Sequence, residues 1–149
     1  MSAETRCGAF AGRDFNVGVD CEGVERWRRM LRQLEAGPRH GLFTESEHRY
    51  CRSFRDPSPH YAARWCAKEA LLKALSRFVA VDLRLVEVRN DADGRPGFVL
   101  NDQKLAGRDL AIRLSLSHSR ETAIAVVMVT VPMGEGVVPT AEREDPEPA

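Results

Sequence analysis

The chain lacks the features that would place it in a membrane or outside the cell. No apolar run approaches the ~18–20 residues that a membrane-spanning helix requires. Residues 1–16 contain no continuous apolar stretch, so no secretory signal is predicted. The formal net charge is zero, with 22 Lys+Arg against 22 Asp+Glu, and bulk charge therefore gives no reason to expect nucleic-acid binding. We expect a cytoplasmic protein without a membrane or nucleic-acid partner.

Cysteine is also scarce, and its spacing excludes two kinds of site. The four cysteines form neither a C-x-x-C pair nor a zinc-ligand pattern, and we expect free thiols: Cys7, Cys21, Cys51 and Cys66. The length of 149 residues suits a single domain. Residues 1–13 show no clear period, and residues 132–149 are rich in Pro, Gly and acid. We therefore predict a folded domain over 14–131, flanked by a flexible N-terminus and a disordered tail.

Hydrophobic periodicity predicts an α+β fold in which helices pack on an antiparallel sheet. The predicted order is one strand, three helices and four strands. Phe15, Val17 and Val19 alternate with polar residues in a strand that ends at Asp20. Three helices follow: one from Val24 to a stop at Gly37-Pro38, a short one capped by Thr44 and Glu47, and a long apolar one from the N-cap Ser58 to about Arg77. The second half is predicted to contain strands at 81–89 and 97–100 around an Asp93-Gly94 turn, one helical turn at 103–107, and a hairpin of 111–117 with 122–130.

Three groups of residues carry possible chemistry. Glu69 and Lys73 are i,i+4 neighbours on the long helix, a spacing also typical of an ordinary surface salt bridge. Asp20 and Glu22 stand at the predicted strand end, where carboxylates can hold Mg²⁺ or simply form a turn. The third group is a strand end with three hydroxyls and an imidazole that can bind phosphate: Ser115, Ser117, His118 and Ser119. A Ser-His nucleophile pair is disfavoured there, because adjacent strand residues point to opposite faces.

Taken in order, these groups resemble the motifs of the holo-acyl-carrier-protein synthase family, the small 4′-phosphopantetheinyl transferases. The matching segments are Gly18-Val19-Asp20, Phe43-Thr44-x-x-Glu47, Arg64-Trp65-x-x-Lys68-Glu69-Ala70-x-x-Lys73-Ala74, Gly94-Arg95-Pro96 and Ser115-Leu116-Ser117-His118-Ser119. They span residues 17–129. The larger, two-lobed transferases place S-H-S before G-V-D, whereas here it comes last, as in the small family.

The resemblance implies transfer of 4′-phosphopantetheine from coenzyme A to a serine of an apo acyl carrier protein, of fatty-acid or polyketide type, with release of 3′,5′-ADP. Asp20, Glu69 and Lys73 would be catalytic, and Asp20 and Glu69, with Glu22, would bind Mg²⁺. Coenzyme A would meet Arg64, Lys68, Lys73, Arg95, Pro96, Ser117, His118 and Ser119. Arg64 and His118 would hold its 3′-phosphate, and Arg95-Pro96 would lie near the adenine. The assembly would be a homotrimer.

Two departures from the family pattern are visible. Residues 73–79 contain no glycine, whereas the family has a glycine-rich stretch after this helix. Asp20-Cys21-Glu22 reads D-x-E, the spacing of the larger enzymes, where the second acid is a further metal ligand. A non-catalytic relative that binds carrier or coenzyme A, and another Mg²⁺-dependent phosphate enzyme such as a pyrophosphohydrolase, remain as alternatives.

The first predicted helix carries an excess of arginine on one side. Arg28, Arg29 and Arg32 lie within about 100° of one another on a helical wheel, with Arg26 at the edge of the group. A solvated polar face is the simplest interpretation. Arginine also pairs well with carboxylates, and in the family this helix docks the acidic helix of the carrier. The resemblance therefore implies that these four residues bind the partner protein.

Overall fold

The computed structural model describes residues 12–33, 41–105 and 107–134. Its elements are β1 (Arg13–Gly23), α1 (Val24–Gln33), α2 (Glu45–Arg52), α3 (Ser58–Leu75), a 3₁₀ turn (Leu83–Leu85), β2 (Val86–Asn90), β3 (Pro96–Leu100), β4 (Ala111–His118) and β5 (Thr122–Pro132). The predicted class and element order are confirmed. The predicted helix stop at Gly37-Pro38 and most of the two flanking segments lie outside the described residues. No described helix is long and apolar enough to cross a membrane.

One long helix organises the whole fold. The strands form an antiparallel sheet in the order β1-β5-β4 and a separate hairpin of β2 with β3. Helix α3 packs across β1 and β5, and its buried side is built largely from alanine, including Ala67, Ala70 and Ala74. Small side chains allow the helix and the sheet to approach closely. Residues on the sheet-facing side of α3 therefore lie against the strands.

The exposed and buried faces of β1 are the reverse of what its apolar alternation implies. Phe15, Val17 and Val19 are 40–47% exposed, whereas Gly18 is buried and Asp20 is half-buried on the side that meets α3. The strand also continues to Gly23, so the prediction that it ends at Asp20 is wrong. Asp20 is held by the ladder opposite Ala125 of β5. A carboxylate inside a strand is more firmly positioned than one on a turn.

Gly18 is the point at which β1 touches α3. A Cβ atom built on Gly18 would lie 1.9 Å from the carbonyl oxygen of Ala70 and 2.7 Å from the amide nitrogen of Ala74. No side chain fits at these distances. The glycine of the G-V-D motif therefore allows the strand to lie on the helix backbone, and Asp20 follows two residues later on the same face.

On its other side, α3 closes a buried charge network with α2. Lys68 is 0% exposed, and its Nζ donates to the carbonyl oxygens of Leu42 and Val86, both at 2.6 Å, and to Oε2 of Glu47 at 2.9 Å. Glu47 also accepts from the amides of Thr44 and Val88. The predicted Thr44–Glu47 capping box is present. Glu47 thus caps its own helix and neutralises a buried lysine.

Four local predictions differ from the structure. Ser58 is the first residue of α3 and not its N-cap: Pro57 occupies that position, and Oδ1 of Asp56 accepts from the Ser58 amide. The helix ends at Leu75, two residues before Arg77. The predicted strand 81–89 begins only at Val86, after the 3₁₀ turn. Residues 103–105 and 107 form turns without a described helix.

Candidate functional site

Asp20 and Lys73 are joined directly across the contact between β1 and α3. The Lys73 Nζ donates to Oδ1 of Asp20 at 2.8 Å and to the carbonyl oxygen of Val19 at 2.9 Å. The Lys73 side chain is half exposed, so its ammonium group remains accessible to a ligand. The hydrogen bond to Asp20 raises the pKa of Lys73. Lys73 is therefore a protonated, accessible cation at the surface of the site.

The second carboxylate, Glu69, lies one helical turn before Lys73. Partial burial raises the pKa of Glu69, the negative charges of Asp20 and Glu22 raise it further, and Lys73 opposes them. Glu22 is turned toward α1, where its two oxygens accept from Arg26 Nη1 at 2.8 and 3.1 Å. The structure thus brings Asp20, Glu69 and Lys73 together, with Glu22 at the edge and engaged by an arginine. We call these four residues the acidic cluster.

The acidic cluster fits a magnesium ion by its donor chemistry. Among the described residues, no group of three or more His, Cys, Asp or Glu side chains is arranged to hold a metal ion. Mg²⁺ does not require such a group, because it commonly binds one or two carboxylates together with substrate phosphates and water. Oδ2 of Asp20 is buried and has no hydrogen-bond partner. A buried carboxylate oxygen without a partner is costly unless a ligand satisfies it.

A second polar site lies where the first turn of α3 meets the end of β4. This cavity, about 170 Å³, is lined by Tyr50, His60, Ala63, Arg64, Asn90, Gly94, Pro96, Leu116 and His118, and we call it the phosphate pocket. Arg64 is 3% exposed, and its Nε has no hydrogen-bond partner. Its guanidinium lies over the Tyr50 ring, with Cζ 3.7 Å from the centroid. A buried cation with an unpaired donor is suited to an anion.

The structure separates several residues that the sequence grouped with His118. Ser117 pairs with Ile124 and, like Ser115, points to the opposite face of the sheet. Ser119 Oγ accepts from the amides of Glu121 and Thr122 and so stabilises the β4–β5 turn. Lys68 is enclosed in its network with Glu47. Lys68 is therefore too enclosed to reach a ligand in this structure, the predicted contact of Ser119 with coenzyme A stays a prediction, and His118 is the member of the strand-end group among the described lining residues of the pocket.

Arg95 and Pro96 border a larger groove between β3 and β4. It has a volume of about 650 Å³ and combines apolar walls from Phe98, Leu100 and Leu114 with charged residues at its rim. Gly94, whose φ is 81°, forms the turn that leads into Pro96. Pro96 lines both this groove and the phosphate pocket. The two spaces are therefore adjacent.

Strand register fixes the separation of the two polar sites. Glu22 of β1 and His118 of β4 both pair with Ala123 of β5, so they occupy one row on the helix-facing side. Neighbouring strands lie roughly 4.8 Å apart, which places the Cα atoms of Glu22 and His118 about 10 Å from each other. The acidic cluster and the phosphate pocket can thus face one ligand that carries two separated phosphate groups.

The arginines of α1 differ in how they are engaged. Arg28 binds Glu25 at 2.8 Å and Asp56 at 2.9 Å, which ties α1 to the loop before α3. Arg32 also contacts Glu25, at 3.1 Å. Arg26 is paired with Glu22, whereas no ion pair is found for the exposed Arg29 within the described parts of the chain. Of the four predicted partner-binding residues, Arg29 is the most available.

Sequence reasoning missed His60, Tyr50 and Asn90 as lining residues of the phosphate pocket. The ring centroids of His60 and His118 are 5.0 Å apart. A spacing signal was present for His60, because it precedes Arg64 by four residues and so shares its helix face. No spacing signal identifies Tyr50 or Asn90, because they belong to elements that reach the pocket only through tertiary packing.

Comparison with known proteins finds matches over most of the chain. The sequence profile of the 4′-phosphopantetheinyl transferase superfamily (ACPS) matches residues 16–127. A holo-[acyl-carrier-protein] synthase from Thermodesulfovibrio yellowstonii is 38% identical over 114 residues, which cover 76% of this chain and 96% of that protein. The ACPS–CoA complex from Chronobacterium ammoniagenes has a TM-score of 0.66 at 26% identity and covers 78% of this chain and 96% of its own. A Bacillus anthracis synthase in complex with CoA (3′,5′-ADP) has a TM-score of 0.62 at 26% identity, covering 78% and 96%.

Proposed function

This chain belongs to the 4′-phosphopantetheinyl transferase superfamily as an enzyme of the holo-[acyl-carrier-protein] synthase type, and we propose that it modifies a cytoplasmic acyl carrier protein in a Mg²⁺-dependent reaction. Coenzyme A is the donor, and a serine of the apo carrier is the acceptor. A bond forms between the serine oxygen and the phosphorus that bears pantetheine. The pyrophosphate P–O bond breaks, and 3′,5′-ADP leaves.

The register-linked pair of polar sites is the observation that carries this proposal. Coenzyme A has a pyrophosphate and a separate 3′-phosphate. The acidic cluster suits the pyrophosphate, and the phosphate pocket suits the separate 3′-phosphate, because Glu22 and His118 at their edges share one row of the sheet. The groove between β3 and β4 offers apolar surface beside Pro96, consistent with the expectation that Arg95 and Pro96 lie near the adenine.

Within the acidic cluster, each side chain has a role that follows from its charge. Lys73 is a compact cation that offsets charge on the leaving phosphate and can donate a proton to it. Glu69 is a partly buried carboxylate that can accept the proton of the serine hydroxyl through a water. Phosphoryl transfer depends mainly on such positioning and charge neutralisation.

Magnesium would be held by Asp20 and Glu69. Oδ2 of Asp20 supports this assignment, since it is buried without a partner. When bound, the ion would supply charge neutralisation at the pyrophosphate. Glu22 would join only after releasing Arg26, so we expect a smaller dependence of turnover on Glu22 than on the other two acids.

Intact-mass spectrometry of candidate apo carriers, incubated with the protein, coenzyme A and Mg²⁺, tests the proposal. A gain of one phosphopantetheine mass on a fatty-acid or polyketide carrier is expected, and omission of Mg²⁺ should prevent it. Binding of coenzyme A without any mass gain would favour a non-catalytic relative. Hydrolysis of coenzyme A without a carrier would favour a pyrophosphohydrolase.

We propose a homotrimer that buries the outer face of the β1-β5-β4 sheet. Five apolar residues on that face are 39–47% exposed: Phe15, Val17, Val19, Ile124 and Val126. A contiguous apolar patch of this kind on a small domain is typical of an interface. Light scattering should give three times the chain mass, and Val17→Lys should reduce it. An active monomer at assay concentration would contradict the proposal.

The carrier is proposed to dock on α1. The exposed Arg29 can reach a carboxylate without first breaking an internal ion pair, whereas Arg28 and Arg32 share Glu25. Arg26 borders the acidic cluster through Glu22, so a carrier helix that contacts Arg26 would bring its serine close to Asp20. Docking and chemistry would therefore occur on adjacent surfaces.

A further inference from the structure

His60 forms a wall of the phosphate pocket and stands between two aromatic neighbours. Its ring stacks on Phe54, with centroids 3.6 Å apart and planes inclined by 19°. The His118 ring meets it edge-on at 5.0 Å. These contacts fix the imidazole in one orientation. Arg64 lies four residues further along the same helix, so both side chains face the same cavity.

The pocket offers one guanidinium and two imidazole side chains to a ligand and no carboxylate. Within residues 12–33, 41–105 and 107–134, no hydrogen bond is made by the ring nitrogens of His60 or His118. Arg64 adds its unpaired Nε. No Asp or Glu is among the described lining residues. At about 30 Å³ per water, the cavity holds roughly five or six waters, which is room for a phosphate group but not for a whole nucleotide.

The charges around His60 favour a neutral ring until an anion arrives. Burial, together with the positive charges of His118 and Arg64, lowers the pKa of His60 to about 4. The negative charge of Asp56 acts in the opposite direction and raises the pKa of His60. The remaining neighbours, Phe54 and Tyr50, contribute aromatic rings. An incoming phosphate dianion would reverse this balance, because it stabilises the protonated imidazole.

We propose that His60 binds the phosphate monoester of coenzyme A alongside Arg64 and His118, takes up a proton as it does so, and thereby sets the preference for coenzyme A over its 3′-dephospho form. The inference rests on the proposed function, since it takes coenzyme A as the donor. What this adds to the proposed function is a third phosphate-binding residue, which becomes protonated when the substrate binds.

Isothermal titration of the purified full chain with coenzyme A and with 3′-dephospho-coenzyme A tests this role. His60→Phe keeps an aromatic ring against Phe54 and removes the ring nitrogens. We expect it to weaken coenzyme A binding about tenfold, the size of one charge-assisted hydrogen bond, and to leave dephospho-coenzyme A binding unchanged. Phe54→Leu is the matched control: it loosens the stack that orients His60 but keeps the ring nitrogens, so it should weaken coenzyme A binding less than His60→Phe does and leave dephospho-coenzyme A binding unchanged.

Repeating the titrations at pH 6 in buffers of different ionisation enthalpy measures proton uptake. The wild type should take up more protons on binding coenzyme A than His60→Phe does. An equal loss of affinity for both ligands in His60→Phe, or the same proton uptake in both proteins, would overturn the inference while the proposed function stands. Failure of the wild type to bind either ligand would instead remove the proposed function, and this inference with it.

Discussion

Helix α3 separates a closed region from an open one, and a lysine on each side shows the difference. Lys68 is fully buried and donates to three acceptors, one of them Glu47, whereas Lys73, five residues later, is half exposed and donates to Asp20 and to the carbonyl oxygen of Val19. On the closed side, the buried charges are fully satisfied by the protein. On the open side, Oδ2 of Asp20 is buried without a partner. A buried carboxylate oxygen without a partner is costly to folding, so its presence beside Lys73 indicates where a ligand binds.

The largest expected effect comes from breaking the closed side. Lys68→Met leaves the Glu47 carboxylate buried without its counter-ion and should lower the free energy of unfolding by about 3–5 kcal/mol. Lys73→Met removes a half-exposed pair and should change it by less than about 1 kcal/mol. Urea denaturation of both variants measures the contrast.

A matched control separates charge from packing in this experiment. Adding Glu47→Gln to Lys68→Met removes the orphaned charge and should recover part of the lost stability. If Lys68→Met and Lys73→Met were equally stable, the division of α3 into a closed and an open side would be wrong.

On the open side, the acids should control turnover instead of stability. Asp20→Asn and Glu69→Gln each keep the side-chain volume and remove one negative charge. We expect each to lower kcat by about 10²–10³, comparable to loss of a preorganised electrostatic contact in other enzymes. Circular dichroism should remain that of the wild type. Near-wild-type turnover of either variant at saturating Mg²⁺ would contradict the assignment of the acidic cluster.

The close contact that builds the open side should be sensitive to a single methyl group. In Gly18→Ala, the added Cβ would meet the backbone of Ala70, which cannot rotate away as a side chain would. Moving β1 off α3 should cost about 1–3 kcal/mol of stability and also displace Asp20 from Lys73. Gly23→Ala is the control in the same strand, because a Cβ added there would meet nothing within 4 Å. Equal stability of the two variants would show that β1 can shift without penalty.

The sequence was sufficient for the order of the elements, yet not for the direction that β1 faces. Alternation groups Phe15 with Val17 and Val19, but it does not say whether that group meets the helix or another surface. The decision depends on Gly18, which alone fits against the backbone of Ala70. Both Lys68 and Lys73 belong to the same motif, so the motif alone does not show that Lys68 lies in the core and Lys73 in the site. That distinction requires the position of Glu47, 21 residues earlier in the chain.

A smaller effect is expected where the open side meets its partner. Arg29→Glu should raise the carrier KM about tenfold, while the KM for coenzyme A stays the same, because a reversed charge on α1 repels an acidic carrier helix. The increase should shrink at high salt. Arg108→Glu, a charge reversal in the loop before β4, is the matched control and should leave the carrier KM unchanged. If Arg29→Glu behaves as this control does, the carrier docks on another surface.

The smallest expected effect is a pH dependence of stability that originates in the phosphate pocket. The pKa of His60 falls to about 4 in the folded chain, chiefly through burial, against an ordinary value of 6.5. Between these values the unfolded chain binds more protons than the folded one, so the stabilising contribution is complete above pH 6.5 and is lost as the pH falls toward 4. Solvent screening of a partly exposed ring limits it to about 1 kcal/mol. Urea titrations at pH 7 and pH 4.5 should therefore show a smaller loss of stability at acid pH in His60→Phe than in the wild type. The control is His48→Phe, which removes a histidine on α2 outside the pocket and should keep the pH dependence attributed to His60. An identical acid loss in the wild type and His60→Phe would mean that the folded protein tolerates a charged His60 without a ligand, and the pocket would then not disfavour a charged imidazole in the way that the proposed phosphate site requires.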